Sequence, residues 1–401
     1  MRMKLAGRSR WWLGVVAIPA CTLTHSLDDL RGGSIAGPGT AAAGKSSMAG
    51  NGGSGGGGGN ASGGSSATAG EPFVTDAGAG GETAAAGPHL ISTGAAEHAD
   101  KQGFLEPLEL QFNDLIDVTT LVGSALCGKG TIRLSKVGDD LCVALGDATP
   151  VAGRPGRYSL TPTAPLEVGS LYTLLVTHDV KTEGGTPLLA DDTSTLTAVY
   201  RHTIKIDGNN DFLPGEELAT STPGYAAYLA WDADALYLGM AGAQIQELDK
   251  NAGLFWLTYV AWPGIPGGTT VGQTYKAVSP TLDFAAARYV RWKGDNSSAS
   301  LFSWTNESKW LETPFDKIKA KYQQTGAFVE LRVPLEAGAT DGTDPVKLVT
   351  FLLNETTGAE STYATAPASL SGGATSPQFQ KHFELLLVDS LLFPKDYPSV
   401  H

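Results

Sequence analysis

Hydrophobic and polar positions alternate with period two in short stretches once the chain passes residue 100. Leu108–Phe112, Thr131–Leu134 and Leu171–Thr177 all read this way, with turn residues between them. Strands of that length and spacing predict a β-sandwich over residues 104–197, and no stripe of helical spacing interrupts it. A second set follows over residues 200–398. Tyr225–Trp231 and Leu236–Met240 flank Asp232–Ala235, which reads as a hairpin turn. Leu254–Trp262 is a long apolar run, Ala327–Val333 alternates up to Pro334, and Leu348–Leu353 and Phe383–Val388 complete the set. Only Phe315–Tyr322 reads as either helix or strand. The pattern predicts an all-β chain of two antiparallel sandwiches in series.

The first hundred residues carry no such pattern. Arg2, Lys4, Arg8 and Arg10 precede the apolar run Trp11–Ile18, followed by Pro19, Ala20 and Cys21. A basic stretch, a short apolar core and small residues at a cut site make residues 1–20 a secretory signal. The apolar run is shorter than the ~20 residues of a spanning helix. Ile18-Pro19-Ala20-Cys21 resembles a bacterial lipobox, with Pro19 departing from the usual small residue. It marks Cys21 for lipidation and implies membrane attachment through that anchor alone. Gly then supplies 20 of the 60 residues from 31 to 90. Residues 21–100 are expected to be a disordered Gly/Ala/Ser tether, because they cannot bury enough apolar surface to offset chain entropy. A coil of about 70 residues reaches roughly 45 Å. Gly39–Ser46 matches a P-loop letter for letter, but no strand can precede it, so composition explains the match.

Charge narrows the partners. The net charge is −13, and removal of the signal makes the chain more acidic. Such a chain has no general attraction to nucleic acid. Two of its 3 Cys, Cys127 and Cys142, lie in the first sandwich. In an oxidising envelope they fit a disulfide.

Two resemblances follow from these residues. Leu108–Thr119, Tyr158–Tyr172 and Val180–Leu188 resemble the bacterial Ig-like domain of surface-layer proteins, which implies a structural spacer. Arg154–Arg157 departs from that family's smoother strand. Ile206-Asp207-Gly208…Asp211, Ala230–Leu238 and Gly326–Leu335 resemble the family 9 carbohydrate-binding modules and their DOMON-like relatives. That likeness implies a jelly-roll-like sandwich that binds glycan ends.

The aromatic residues point to sugar independently of the resemblance. Beyond the signal, every Trp falls in the second sandwich: Trp231, Trp256, Trp262, Trp292, Trp304 and Trp310. Trp256 and Trp262 share one face of their strand and Phe255, Leu257 and Tyr259 the other. If one face is core, the other presents large rings outward. Trp256, Trp262, Trp292, Trp304 and Trp310 are therefore the candidate glycan-binding residues, the last three with the more polar surroundings. Asp207, Asn209 and Asp211 place oxygen at alternate positions like a calcium loop, although Phe212 and Leu218 stand where an EF-hand needs Gly and Glu. Calcium is the only cofactor suggested.

Catalysis finds little support. His202 and His382 stand apart in sequence, and His25, His89, His98 and His401 lie in tails. Asp232 and Asp234 suit a hairpin turn better than a glycosidase pair. Met240 has no visible axial partner for haem. The expectation is a non-catalytic, secreted envelope lipoprotein of the outer membrane. Its Ig-like spacer would carry a module that holds glycan or another envelope component. A structural or adhesive protein is the alternative, and a glycosidase the weaker one.

Overall fold

The computed structural model describes residues 87–93, 100–246, 253–336 and 344–401. The signal, Cys21 and most of the tether fall outside the described residues. Gly80–His401 forms one compact unit, and its regular elements are strands joined by turns and short 3-10 segments. No helix among the described residues is long and apolar enough to cross a membrane.

The first sandwich is Ig-like. One sheet runs in the order Leu90–Thr93, Leu108–Phe112, Arg157–Leu160, Thr149–Pro150. The other runs Lys101–Gly103, Asp192–Val199, Leu171–Val176, Ile132–Lys136, Cys142–Val143. The chain is thus already paired at Leu90, inside the stretch expected to be tether. Alternation does the sorting: Leu108, Leu110 and Phe112 are buried while Glu109 and Gln111 lie half-buried between them. Tyr158 ties the sandwich together, its hydroxyl accepting from Ile116 N at 2.7 Å and donating to Ile116 O at 2.9 Å. Cys127 and Cys142 are joined in a disulfide across 15 residues, with their Cα atoms 5.1 Å apart. The departure at Arg154–Arg157 is a turn into the Arg157–Leu160 strand. It needs Gly156 at φ 73°, where a Cβ would meet Phe112 O at 2.7 Å.

The second region is jelly-roll-like, with a layer that the sequence pattern does not reveal. A five-stranded sheet runs Glu217–Ala219, Ala226–Trp231, Ala235–Ala241, Phe328–Pro334, Lys321–Thr325. It faces an eight-stranded sheet in the order Trp310–Pro314, Ala299–Trp304, Arg288–Lys293, Leu254–Ala261, Val346–Asn354, His382–Leu385, Ser399–Val400, with Ser361–Ala366 added beside Val346–Asn354. A third sheet, Thr269–Val271, Thr281–Ala286, Ser376–Phe379, Leu370–Gly373, lies on the far side of the second. The ambiguous Phe315–Tyr322 stretch splits into a 3-10 turn at Phe315–Lys317 and the start of the Lys321–Thr325 strand.

The core between the first two sheets overturns the expected exposure of three tryptophans, and the third layer covers the opposite strand face. The Leu254–Ala261 strand is buried from end to end apart from its last residue. Trp256, Val260, Trp262 and Trp292 pack in the main core with Trp231 and Leu229. Phe255, Leu257 and Tyr259 fill a second core with Phe284 and Phe379 from the covering sheet and Tyr275 from the turn before Thr281–Ala286. Neither face of the strand presents rings to solvent. Trp256 Nε1 donates to Thr350 Oγ1 at 2.6 Å and Trp292 Nε1 to Asn296 Oδ1 at 3.0 Å, so both buried indoles are also satisfied.

The two sandwiches share one core. Tyr200, at the expected start of the second sandwich, is fully buried. Its ring stacks on Phe104 of the first sandwich at 5.6 Å and meets Trp231 at 4.7 Å and Phe393 at 5.4 Å. Its hydroxyl donates to the buried Glu216 Oε1 at 2.6 Å, and His202 Nδ1 donates to the same oxygen at 2.8 Å. Leu213 N donates to Glu216 Oε2 at 2.7 Å. Burial, with the Glu216 charge beside it, pushes the Tyr200 hydroxyl far above its usual range. Arg201 adds an ion pair to Asp389 at 3.3 Å.

Candidate functional site

The edge hairpin of the eight-stranded sheet, Ala299–Trp304 with Trp310–Pro314, carries the two tryptophans that keep contact with solvent. Its turn closes through Thr305 N to Lys309 O at 3.0 Å, and Ser308 takes φ 56°. This register sets Trp304 opposite Trp310, with ring centroids 5.2 Å apart and planes at 64°. Trp310 also meets Tyr289 edge-on at 4.8 Å and Tyr259 at 5.9 Å. The pair is therefore anchored on the second core on one side and half-exposed on the other.

A polar cluster lies beside the pair on the same sheet face. Phe302 stacks on Tyr289 at 4.3 Å and 7° and faces Glu312 across the hairpin. The Arg291 guanidinium sits 4.7 Å over Phe302 and 5.9 Å from Phe255. Glu312 Oε1 accepts from Arg291 Nη2 at 2.6 Å and from Ser300 Oγ at 2.7 Å. Arg291 Nε and Trp310 Nε1 are buried and have no hydrogen-bond partner among the described residues. Burial pushes the Tyr275 hydroxyl up to about 12, opposed by its hydrogen bonds with Tyr289 and Arg291. Arrangements of this kind offer a flat apolar surface next to fixed hydrogen-bonding groups.

Among the sequence candidates, Trp304 and Trp310 come together here, while Trp256, Trp262 and Trp292 lie in the core. Arg291, Ser300 and Glu312 went unnoticed. Their only sequence signal is parity: each falls on the same side of its strand as Trp304 and Trp310.

The Asp207 loop is built as a turn. Asp207 Oδ2 pairs with Lys205 Nζ at 2.7 Å, and Oδ1 accepts from Asn209 N at 3.0 Å and Asn209 Nδ2 at 2.9 Å. The Lys205 contact holds the Asp207 carboxyl below its usual range. Glu330 Oε1 accepts from Asp207 N at 2.6 Å and Gly208 N at 2.5 Å, while its buried Oε2 has no partner among the described residues. Burial raises the Glu330 carboxyl. Among the described residues, no three His, Cys, Asp or Glu side chains converge as metal ligands.

Other titratable side chains meet elsewhere. Buried His382 bridges Asp283 at 2.8 Å and Glu384 at 3.3 Å. On the first sandwich, exposed His178 meets Asp191 at 2.6 Å. A cavity of about 580 Å³ also lies in the first sandwich, between the turns around Asp117 and Arg154 and far in sequence from the tryptophan pair.

No family model matches the chain, and no curated protein matches it. Several solved structures are similar. The N-terminal part of the bacterial S-layer protein SbsC aligns at 12% identity with a TM-score of 0.23, over 38% of this chain and 40% of that one. Domains 1-6 of SbsC align at 11% and 0.23, over 71% of this chain and 41% of that one. Native alpha-2-macroglobulin from Escherichia coli, spanning domains MG0-NIE-MG1, aligns at 12% and 0.23, over 73% of this chain and 96% of that one. The chain thus spans about two fifths of the length of the S-layer structures.

Proposed function

We propose that the terminal region is a non-catalytic glycan-binding module of a bacterial envelope protein, with Trp304 and Trp310 as its platform. One observation carries this reading. Of the six tryptophans in the region, these two retain solvent contact, and they sit side by side next to the Arg291–Glu312–Ser300 cluster. The C–H face of a sugar ring stacks on an indole, and its hydroxyls need fixed polar groups within reach. The envelope location rests on the N-terminal sequence, with Cys21 as the lipidated anchor and the Gly-rich stretch as tether. The full chain on a glycan array tests the reading. Saturable binding that Trp304→Ala removes supports it, and a blank array from folded protein sinks it.

The joint between the sandwiches favours a second reading. An aromatic core shared through Phe104, Tyr200, Trp231 and Phe393 stiffens the pair into one body. A structural surface protein needs that stiffness and no small-molecule ligand. A blank array together with an unbroken joint moves the weight to this reading.

A further inference from the structure

We propose that Glu312 sets the charge selectivity of the Trp304–Trp310 platform, confining it to neutral glycans by neutralising Arg291. This rests on the glycan-binding reading above. Two basic side chains lie near the platform, Arg291 on the same sheet face and Lys309 in the hairpin turn, and each is committed to a carboxylate. Arg291 holds Glu312 at 2.6 Å and Lys309 pairs with Glu307. An acidic sugar arriving at the tryptophan pair finds both of these cations already paired. It meets Glu312, whose side chain is 44% exposed.

Position makes Arg291 the decisive cation. Cross-strand register puts Arg291 opposite Ser300, with Phe302 and Glu312 in the next row and the tryptophan pair in the row beyond. Glu312 thus stands between the cation and the platform. The guanidinium is fixed by more than its ion pair, because it lies over the Phe302 ring and has a buried Nε. Glu312→Gln keeps an oxygen acceptor for Arg291 and Ser300 while deleting the negative charge. The cation then stays in place, unneutralised, beside the platform.

The test is calorimetric titration of the full chain, at low salt, with matched oligosaccharides that differ only by oxidation at C6. Three matched series serve: gluco- against glucurono-, manno- against mannurono-, galacto- against galacturono-. Wild type should bind the neutral member of at least one pair about tenfold more tightly than its uronate, and Glu312→Gln should erase or invert that ratio. Added salt should reduce the variant's gain for the uronate. A wild type that prefers the uronate, or a ratio unchanged in Glu312→Gln, overturns the selectivity and leaves the platform reading standing. Folded wild type that binds neither member of any pair overturns both. Near-ultraviolet circular dichroism of each variant establishes that the fold is intact.

Discussion

Glu216→Ala removes the acceptor at the centre of the joint. Three donors lose their partner: the Tyr200 hydroxyl, His202 Nδ1 and Leu213 N. Tyr200 is fully buried, so its orphaned hydroxyl costs about 1–3 kcal/mol. His202 and Leu213 are part-exposed and can recruit water, which limits their share to about 1 kcal/mol together. The sum is about 3 kcal/mol, or a fall in melting temperature of roughly 5 °C for a unit of this size. Scanning calorimetry reads both the size and the shape of the loss. Because one core runs through both sandwiches, wild type should melt in a single transition, and Glu216→Ala should separate it into two. Tyr200→Phe provides the control: it keeps the ring contacts, costs about 1 kcal/mol and leaves the single transition intact. Two transitions in wild type, or a Glu216→Ala loss below about 0.5 kcal/mol, would refute the reasoning.

Trp292→Ala should destabilise the protein by about 3–5 kcal/mol in a urea melt, because the indole is fully buried opposite Trp256. Cys127→Ser with Cys142→Ser should cost about 3 kcal/mol, as expected for a closed loop of 15 residues, and a reductant should reproduce the loss in wild type. The Glu330 carboxyl is raised in the folded state from its ordinary 4.5. Its contribution to stability is therefore fully present below the unfolded value and is lost as pH rises through the raised folded value. Glu330→Gln should flatten that decline in a pH series of melts. Glu384, whose carboxyl is lowered, acts with the opposite sign and is common to both proteins, whereas the lowered Asp207 is coupled to Glu330, so the difference between the two series reads the Asp207–Glu330 pair.

Where one face of a strand is core, the residues announced it. Leu108–Phe112 was legible to the residue, and the hairpin around Asp232–Ala235 and the bond between Cys127 and Cys142 were also readable. The Leu254–Ala261 strand was not, because a strand buried on both faces has no alternation to read. Its second cover comes from Thr281–Ala286 and Ser376–Phe379, and that long-range return leaves no trace in the strand itself. Trp292 read as exposed because Arg291 and Lys293 flank it, but those neighbours belong to the other strand face and Trp292 enters the main core beside Trp256. Trp304, at the end of an edge hairpin, is half-exposed. Glu216 gave no signal of its role in the sequence, because that role depends on the fold turning it inward to Tyr200, a pairing across 16 residues.

The most direct measurement is calorimetric titration of the full chain with the strongest hit from a glycan array, alongside Trp304→Ala and Trp310→Ala, with and without chelator. The account predicts saturable binding in wild type, a loss of about tenfold or more in each variant and no effect of the chelator, since Asp207 is already committed to Lys205 and Asn209. Binding that survives both substitutions in folded protein would contradict it.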